Sequence, residues 1–238
     1  MNKLLVPVLC VLAAIGFVVS IYLVFFYTPL DFTIDHDSGR LVGTSLFFNE
    51  TIMYFHVAHA FVLFTAVFIG GIASALYLWK RKPVWDDIAA ATIDISVAFG
   101  AVVLATGSIW AKAAWDVWWQ WEPRLTMSLL LWLILVGYVL VRKFAGPTAD
   151  RVAAGMAIFG MVGVPFIYTM VGQDSHPGSG ANGVAFTLKG PMVVTFWVSV
   201  ATFMVWFAAL VITRVQSTRL EREVRELRER ALDLGVIE

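Results

Sequence analysis

The sequence predicts an all-α membrane protein: six transmembrane helices with both termini in the cytoplasm, plus a C-terminal cytoplasmic amphipathic helix. Three observations carry this. Of the 238 residues, 60% are hydrophobic and 14% charged, with mean hydropathy +0.80; soluble domains lie nearer 45–50% apolar and about 25% charged. Six apolar runs, at about 4–27, 51–79, 88–111, 126–142, 152–171 and 191–213, approach or exceed the roughly 20 residues that cross a bilayer as a helix. Of the 17 Lys and Arg, 13 fall in the two termini and alternate connections. The backbone must satisfy its own hydrogen bonds in lipid, and runs of these lengths do so as helices rather than as barrel strands.

The first run follows Met1, Asn2 and Lys3. It is longer than a signal-peptide core and no small-residue cleavage site follows it, so it reads as an uncleaved span. It holds the single cysteine, Cys10, which excludes an intramolecular disulfide and any cysteine-based zinc or iron–sulfur site. The segment 28–50 reads as a loop, with His36 between Asp35 and Asp37 as a solvated residue. The second run carries His56 and His59 in TIMYFHVAHAF, three apart and so neighbours on one helix face. Asp94 is the one carboxylate well inside a span. An acid in that position is a functional suspect, but about two turns from the end of its span, water or a neighbouring helix can satisfy it. After the third span comes WAKAAWDVWWQWEPRLT, residues 110–126, with five of the ten tryptophans in its first twelve positions. Between the fifth and sixth spans, GQDSHPGSG is a turn region holding His176.

The connections divide by charge. Lys3, the group Lys80, Arg81 and Lys82, the group Arg142, Lys143 and Arg151, and six arginines of the tail lie on one side. Arg40, Lys112, Arg124 and Lys189 lie on the other. The positive-inside rule makes the first side cytoplasmic. Segments 28–50, about 112–125 and 172–190 then face outward. The chain divides into a membrane section, 1–213, and a charged tail, 214–238. In the tail Leu220, Val224, Leu227, Ala231 and Leu234 recur at alternating spacings of four and three. That pattern suits a helix lying on the membrane surface or a seam for a partner.

Net charge is zero, so no general basic field points to nucleic acid. No Gly-rich phosphate loop and no Ser/His/Asp arrangement is present, so an ATPase would be another chain. On this topology His56, His176 and the Trp-rich segment meet at the outer interface. Two imidazoles across an aromatic-walled gap are what a haem iron with two axial ligands requires. Indole rings can wall a porphyrin, and Arg124 can pair with a propionate. Each feature also has a plainer account. Trp is enriched at membrane interfaces generally, a histidine near a helix end is often only hydrogen-bonded, and a quinone would suit the same aromatic walls.

The stretch 110–126 resembles the tryptophan-rich WWD motif of haem-handling proteins, and in length and layout the chain is similar to the CcmC (haem exporter protein C) family. Trp110, Trp118, Trp119, Trp121, Arg124, Leu125 and Thr126 fall on motif positions, and Thr106, Gly107 and Ser108 match its lead-in. Ala111 and Asp116 stand where glycines are usual, and Glu122 where Asp is usual. IMYFHVAHA matches the segment carrying the family's first outward histidine, at His56; the loop between spans five and six supplies the second, at His176. His59 has no counterpart and is left with a supporting or alternative-ligand role. The resemblance covers roughly 1–213.

The resemblance implies a transiently bound haem b with His56 and His176 as iron ligands. Trp110, Trp115, Trp118, Trp119, Trp121, Glu122 and Arg124 would surround it on the outer face of the cytoplasmic (inner) membrane. It implies no enzymatic turnover. The haem is presented for covalent attachment to the chaperone CcmE during cytochrome c maturation, within an ABC-transporter complex with the ATPase CcmA, CcmB and CcmD. A b-type cytochrome exchanging electrons with quinol, and a transport subunit that binds no haem, are the alternatives.

Overall fold

The computed structural model describes residues 4–28, 32–34, 41–43, 46–169, 188 and 190–236. Six long helices follow one another: α1 Leu5–Tyr22, α2 Leu46–Lys80, α3 Pro83–Trp115, α4 Pro123–Phe144, α5 Ala149–Thr169 and α6 Pro191–Asp233. Each contains a stretch long and apolar enough to cross a membrane. α1 continues as a π-helical turn, Leu23–Tyr27. Two short strands, β1 Phe32–Ile34 and β2 Leu41–Gly43, pair antiparallel with Thr33 opposite Val42. They occupy the segment expected to be a loop. His36 lies between them, outside the described residues, as does His176.

Helix starts follow local chemistry. Pro83, Pro123 and Pro191 each sit in the first turn of a helix, where the missing N–H costs nothing and the fixed φ is already helical. The helices also run past the apolar stretches. α2 begins at Leu46, five residues before the apolar run at 51, and α3 extends to Trp115. α6 passes without a break from the sixth apolar run into the charged tail and ends at Asp233.

α2 and α3 form the central antiparallel pair, with α1 and α6 on one side and α4 and α5 on the other. Two buried clusters express this arrangement. One joins Tyr54, Ala58 and Val62 of α2 with Phe99 of α3 and Phe196, Phe203 and Phe207 of α6. The other joins Leu63 and Val67 with Ile93, Leu131, Leu135, Ala157 and Ile167. Hydrophobic burial does not drive helices together in lipid, so close approach and polar contacts matter more. A Cβ added at Gly16 of α1 would lie 2.6 Å from Thr202 Oγ1 of α6. Beside it Ser20 Oγ donates to Thr202 Oγ1 at 3.3 Å, and Thr28 and Thr195 hydroxyls meet at 2.9 Å. The Trp132 indole N–H ties α4 to α3 by donating to the Val97 carbonyl at 2.9 Å.

The two ends of the bundle differ. At the basic end, Arg142 makes a two-pronged pair with Asp86 at 2.7 and 2.8 Å. There Arg214 pairs with Asp94 at 2.7 Å and Arg222 with Asp87 at 2.9 Å. Asp94 is therefore satisfied by a neighbouring helix, one of the two outcomes its position allowed. The opposite end carries Trp110, Trp115, Trp118, Trp119 and Trp121.

Candidate functional site

His56 lies about 15 Å along α2 from the helix start, ten residues at 1.5 Å each. The apolar run begins only five residues before it, so the extra turns of α2 stand outside that run. Its Nδ1 is 2.9 Å from Thr106 Oγ1 of α3. The Thr106 hydroxyl sends its own hydrogen to the Val102 carbonyl at 2.7 Å, with Val103 O the alternative at 3.3 Å. With that hydrogen on the helix carbonyl, the Thr106 oxygen is the acceptor, which assigns the His56 proton to Nδ1. That tautomer puts the ring's lone pair on Nε2, as a metal-ligating histidine requires, with the other nitrogen held by a hydrogen-bond acceptor.

Two further residues of α3 shape this seat. The Trp110 indole meets the His56 ring edge-on, centroids 5.4 Å apart and planes at 78°, and Trp110 itself is buried. Gly107 faces the ring, where a Cβ would lie 3.2 Å from His56 Cε1. The lead-in residues Thr106 and Gly107, matched in the sequence only as part of a motif, thus hold the candidate ligand. His59 is different. Its Nδ1–H donates to the Phe55 carbonyl at 2.7 Å, and its ring packs against Phe203 and Phe99 with centroids at 4.3 and 5.3 Å. It belongs to the α2–α3–α6 packing, one turn deeper than His56.

α3 ends at Trp115, which is half-buried, because Asp116 turns into the left-handed region at φ 60° and ψ 18°. Glycine is the usual residue for such a helix stop, and glycine is what the motif leads one to expect there. Lys112 offsets the mismatch by donating to the Asp116 carboxylate at 2.6 Å and to its carbonyl at 3.0 Å. The same ammonium holds the Asp116 carboxyl below the usual carboxylate range. An irregular stretch carries the chain from there to Pro123.

Within it Trp118 and Trp121 are exposed, while Trp119 is half-buried and meets Trp121 edge-on at 5.8 Å. Trp119 and Trp121, with Leu104 of α3 and Leu129 of α4, line an open cleft of about 470 Å³. Trp119 Nε1 is buried with no hydrogen-bond partner among the described residues. A buried N–H without an acceptor is costly, and an oxygen of a bound molecule would relieve it. Glu122, in extended backbone, precedes α4, and Arg124 lies in its first turn, half-buried.

The predicted residues therefore fall into groups. His56 and Trp110 are in contact; Trp119 and Trp121 are in contact beside the cleft. Leu104 and Thr106 project from α3 about 200° apart, two residues at 100° each. The cleft and the His56 seat accordingly lie on different sides of α3 at the same end of the bundle. His176 falls outside the described residues, and the described residues contain no cluster of three or more His, Cys, Asp or Glu that could hold a metal ion.

Fold and site together define a six-span helical membrane protein with a histidine–tryptophan site at one end of the bundle. Residues 1–230 match the family model described as heme exporter protein C, and the chain belongs to that family. A heme exporter protein C of Bradyrhizobium diazoefficiens is 30% identical over 181 residues, 74% of this chain and 69% of that one. The heme exporter protein C of Escherichia coli strain K12 is 27% identical over 183 residues, 73% of this chain and 72% of its own length. A Marchantia polymorpha mitochondrial protein described as ccmC-like, of cytochrome c biosynthesis, is 26% identical over 186 residues, 77% of this chain and 75% of that one.

Proposed function

We propose that this protein binds haem at the outer face of the cytoplasmic membrane and presents it for covalent attachment to the chaperone CcmE in cytochrome c maturation. The observation that carries the reading is the His56 seat, whose Thr106 contact fixes the imidazole tautomer a haem iron ligand needs. The heme exporter names of the relatives and the cytochrome c description of the Marchantia protein support it.

In this reading His56 and His176 are the axial ligands, Trp110 backs the His56 ring, and Trp115, Trp118, Trp119 and Trp121 supply an aromatic surface at the same end of the bundle, from which haem is handed on. Arg124 pairs with a propionate, with Glu122 beside it. The cargo is haem b, and its stay is transient; the openness of the tryptophan cleft supports release to a partner over permanent burial. The protein turns over no substrate. Both termini lie in the cytoplasm, in keeping with the basic end of the bundle. CcmA, CcmB and CcmD complete the ABC-type assembly.

The test is the absorption spectrum of the purified full-length protein, followed by transfer of haem to the chaperone. Wild type is expected to carry haem, and His56→Ala and His176→Ala each to lose most of it. Joint replacement of Trp118, Trp119 and Trp121 by alanine is expected to impair delivery. A spectrum unchanged in both histidine variants overturns the ligand assignment. Haem that stays bound in the presence of the chaperone and is reduced by quinol would mark a b-type cytochrome instead.

A further inference from the structure

The extension of α6 beyond residue 213 has two faces. One is fastened to the bundle: Arg214 pairs with Asp94, Thr218 is buried, and Arg222 donates to both Asp87 oxygens from Nε and Nη2 at 3.1 and 2.9 Å. These residues are spaced by four, on one helix face. The other face carries Leu220, Val224, Leu227 and Leu234, which are 60%, 64%, 64% and 77% exposed, with Ala231 between them. At 100° per residue the seam positions lie about 120–200° round from Arg222. The anchored side and the apolar seam are therefore opposite one another. The helix is already continuous with α6, so little ordering cost stands against using that seam.

The seam has a register. Leu220, Leu227 and Leu234 take the d positions of a heptad, and Val224 and Ala231 the a positions. Leucine at d with β-branched Val224 at one of the two a positions favours two parallel strands. Glu223 then occupies g and Arg228 the following e, so in a parallel pair Glu223 of each copy faces Arg228 of the other, twice by symmetry. The next pairing, Gln216 with Glu221, brings no like charges together. Glu223 is held within its own chain only by an exposed contact with Arg219 at 2.8 Å, worth little. Arg228 has no ion-pair partner among the described residues. Two copies inserted the same way in one bilayer bring these helices out parallel on one face.

We infer that the C-terminal extension of α6 is a parallel two-stranded coiled-coil interface joining two copies of this chain.

The test uses the full chain in its native membrane, with Cys10→Ala to remove the only cysteine. Oxidation of Leu227→Cys is expected to give a covalent species of twice the 26.4 kDa chain mass. Glu229→Cys, on the Arg222 side of the helix, is expected to give little. In the Leu227→Cys background, Glu223→Arg and Arg228→Glu are each expected to lower the yield about fivefold, and the two together to restore it. The inference is overturned by no dimer from Leu227→Cys, by equal yields from Glu229→Cys, by a product with a different polypeptide, or by a double exchange that fails to restore the yield.

Discussion

At the scale of single residues, the site turns on the seat of His56. Thr106→Val keeps the side-chain shape and removes the acceptor of the Nδ1–H. We expect haem affinity to fall about 10–100-fold, the usual effect of losing such an outer partner, with thermal stability little changed. Thr106→Ser should recover most of the affinity, and titration of the purified protein with haem would show both. If Thr106→Val binds haem as wild type does, the tautomer argument fails. Asp116 gives a second prediction, checked by thermal unfolding in detergent. Asp116→Gly removes a left-handed non-glycine residue and should leave the unfolding midpoint unchanged or raise it; a clear fall would contradict the strain reading. The Lys112 contact works in the other direction. The lowered Asp116 pKa means that its contribution is present at neutral pH, above the ordinary carboxylate range, and is lost as pH falls through the depressed value.

At the scale of elements, the bundle depends on close approach and on ion pairs at its basic end. Gly16→Leu would drive a side chain into Thr202, which a flexible surface could absorb but a helix–helix contact cannot. We expect α1 to loosen from α6, read as faster proteolysis of the α1–β1 connection. Unchanged protection would show that α1 is not held there. Asp86→Ala leaves Arg142, largely buried, with the longer ion pair to Asp150 at 3.4 Å and the Tyr138 ring at 5.7 Å as its remaining contacts among the described residues. The expected cost is about 1–3 kcal/mol, less than for a fully buried pair, seen as a lower unfolding midpoint.

The elements were legible in the sequence where the bilayer imposes a length, and illegible where it does not. Nothing in hydropathy marks the turns of α2 before residue 51 or the end of α3 at Trp115, because those turns leave the apolar stretch while the backbone ladder continues. For the same reason a change from Phe and Val to Glu and Arg looked like an element boundary at 213. The helix ignores it, since its hydrogen bonds run from residue to residue regardless of the surroundings. The site was readable as a list of residue types. Its assembly was not, because His56 meets Thr106 across fifty residues and Asp94 meets Arg214 across 120. No local spacing encodes such contacts.

At the scale of the whole molecule, the charge asymmetry of the connections supports the proposal that the basic end is cytoplasmic. With Cys10→Ala as background, Arg225→Cys, exposed and off the apolar seam, should be protected from a membrane-impermeant thiol reagent in intact cells and labelled once they are opened. Labelling in intact cells would invert the topology and move the histidine–tryptophan site to the other face. The most direct measurement of the central claim is the haem absorption spectrum of the full-length protein beside those of His56→Ala and Thr106→Val, at equal protein concentration and equal thermal stability. The account predicts a haem spectrum in the wild type, its near loss in His56→Ala and a weakened, shifted form in Thr106→Val. An identical spectrum in all three would contradict it.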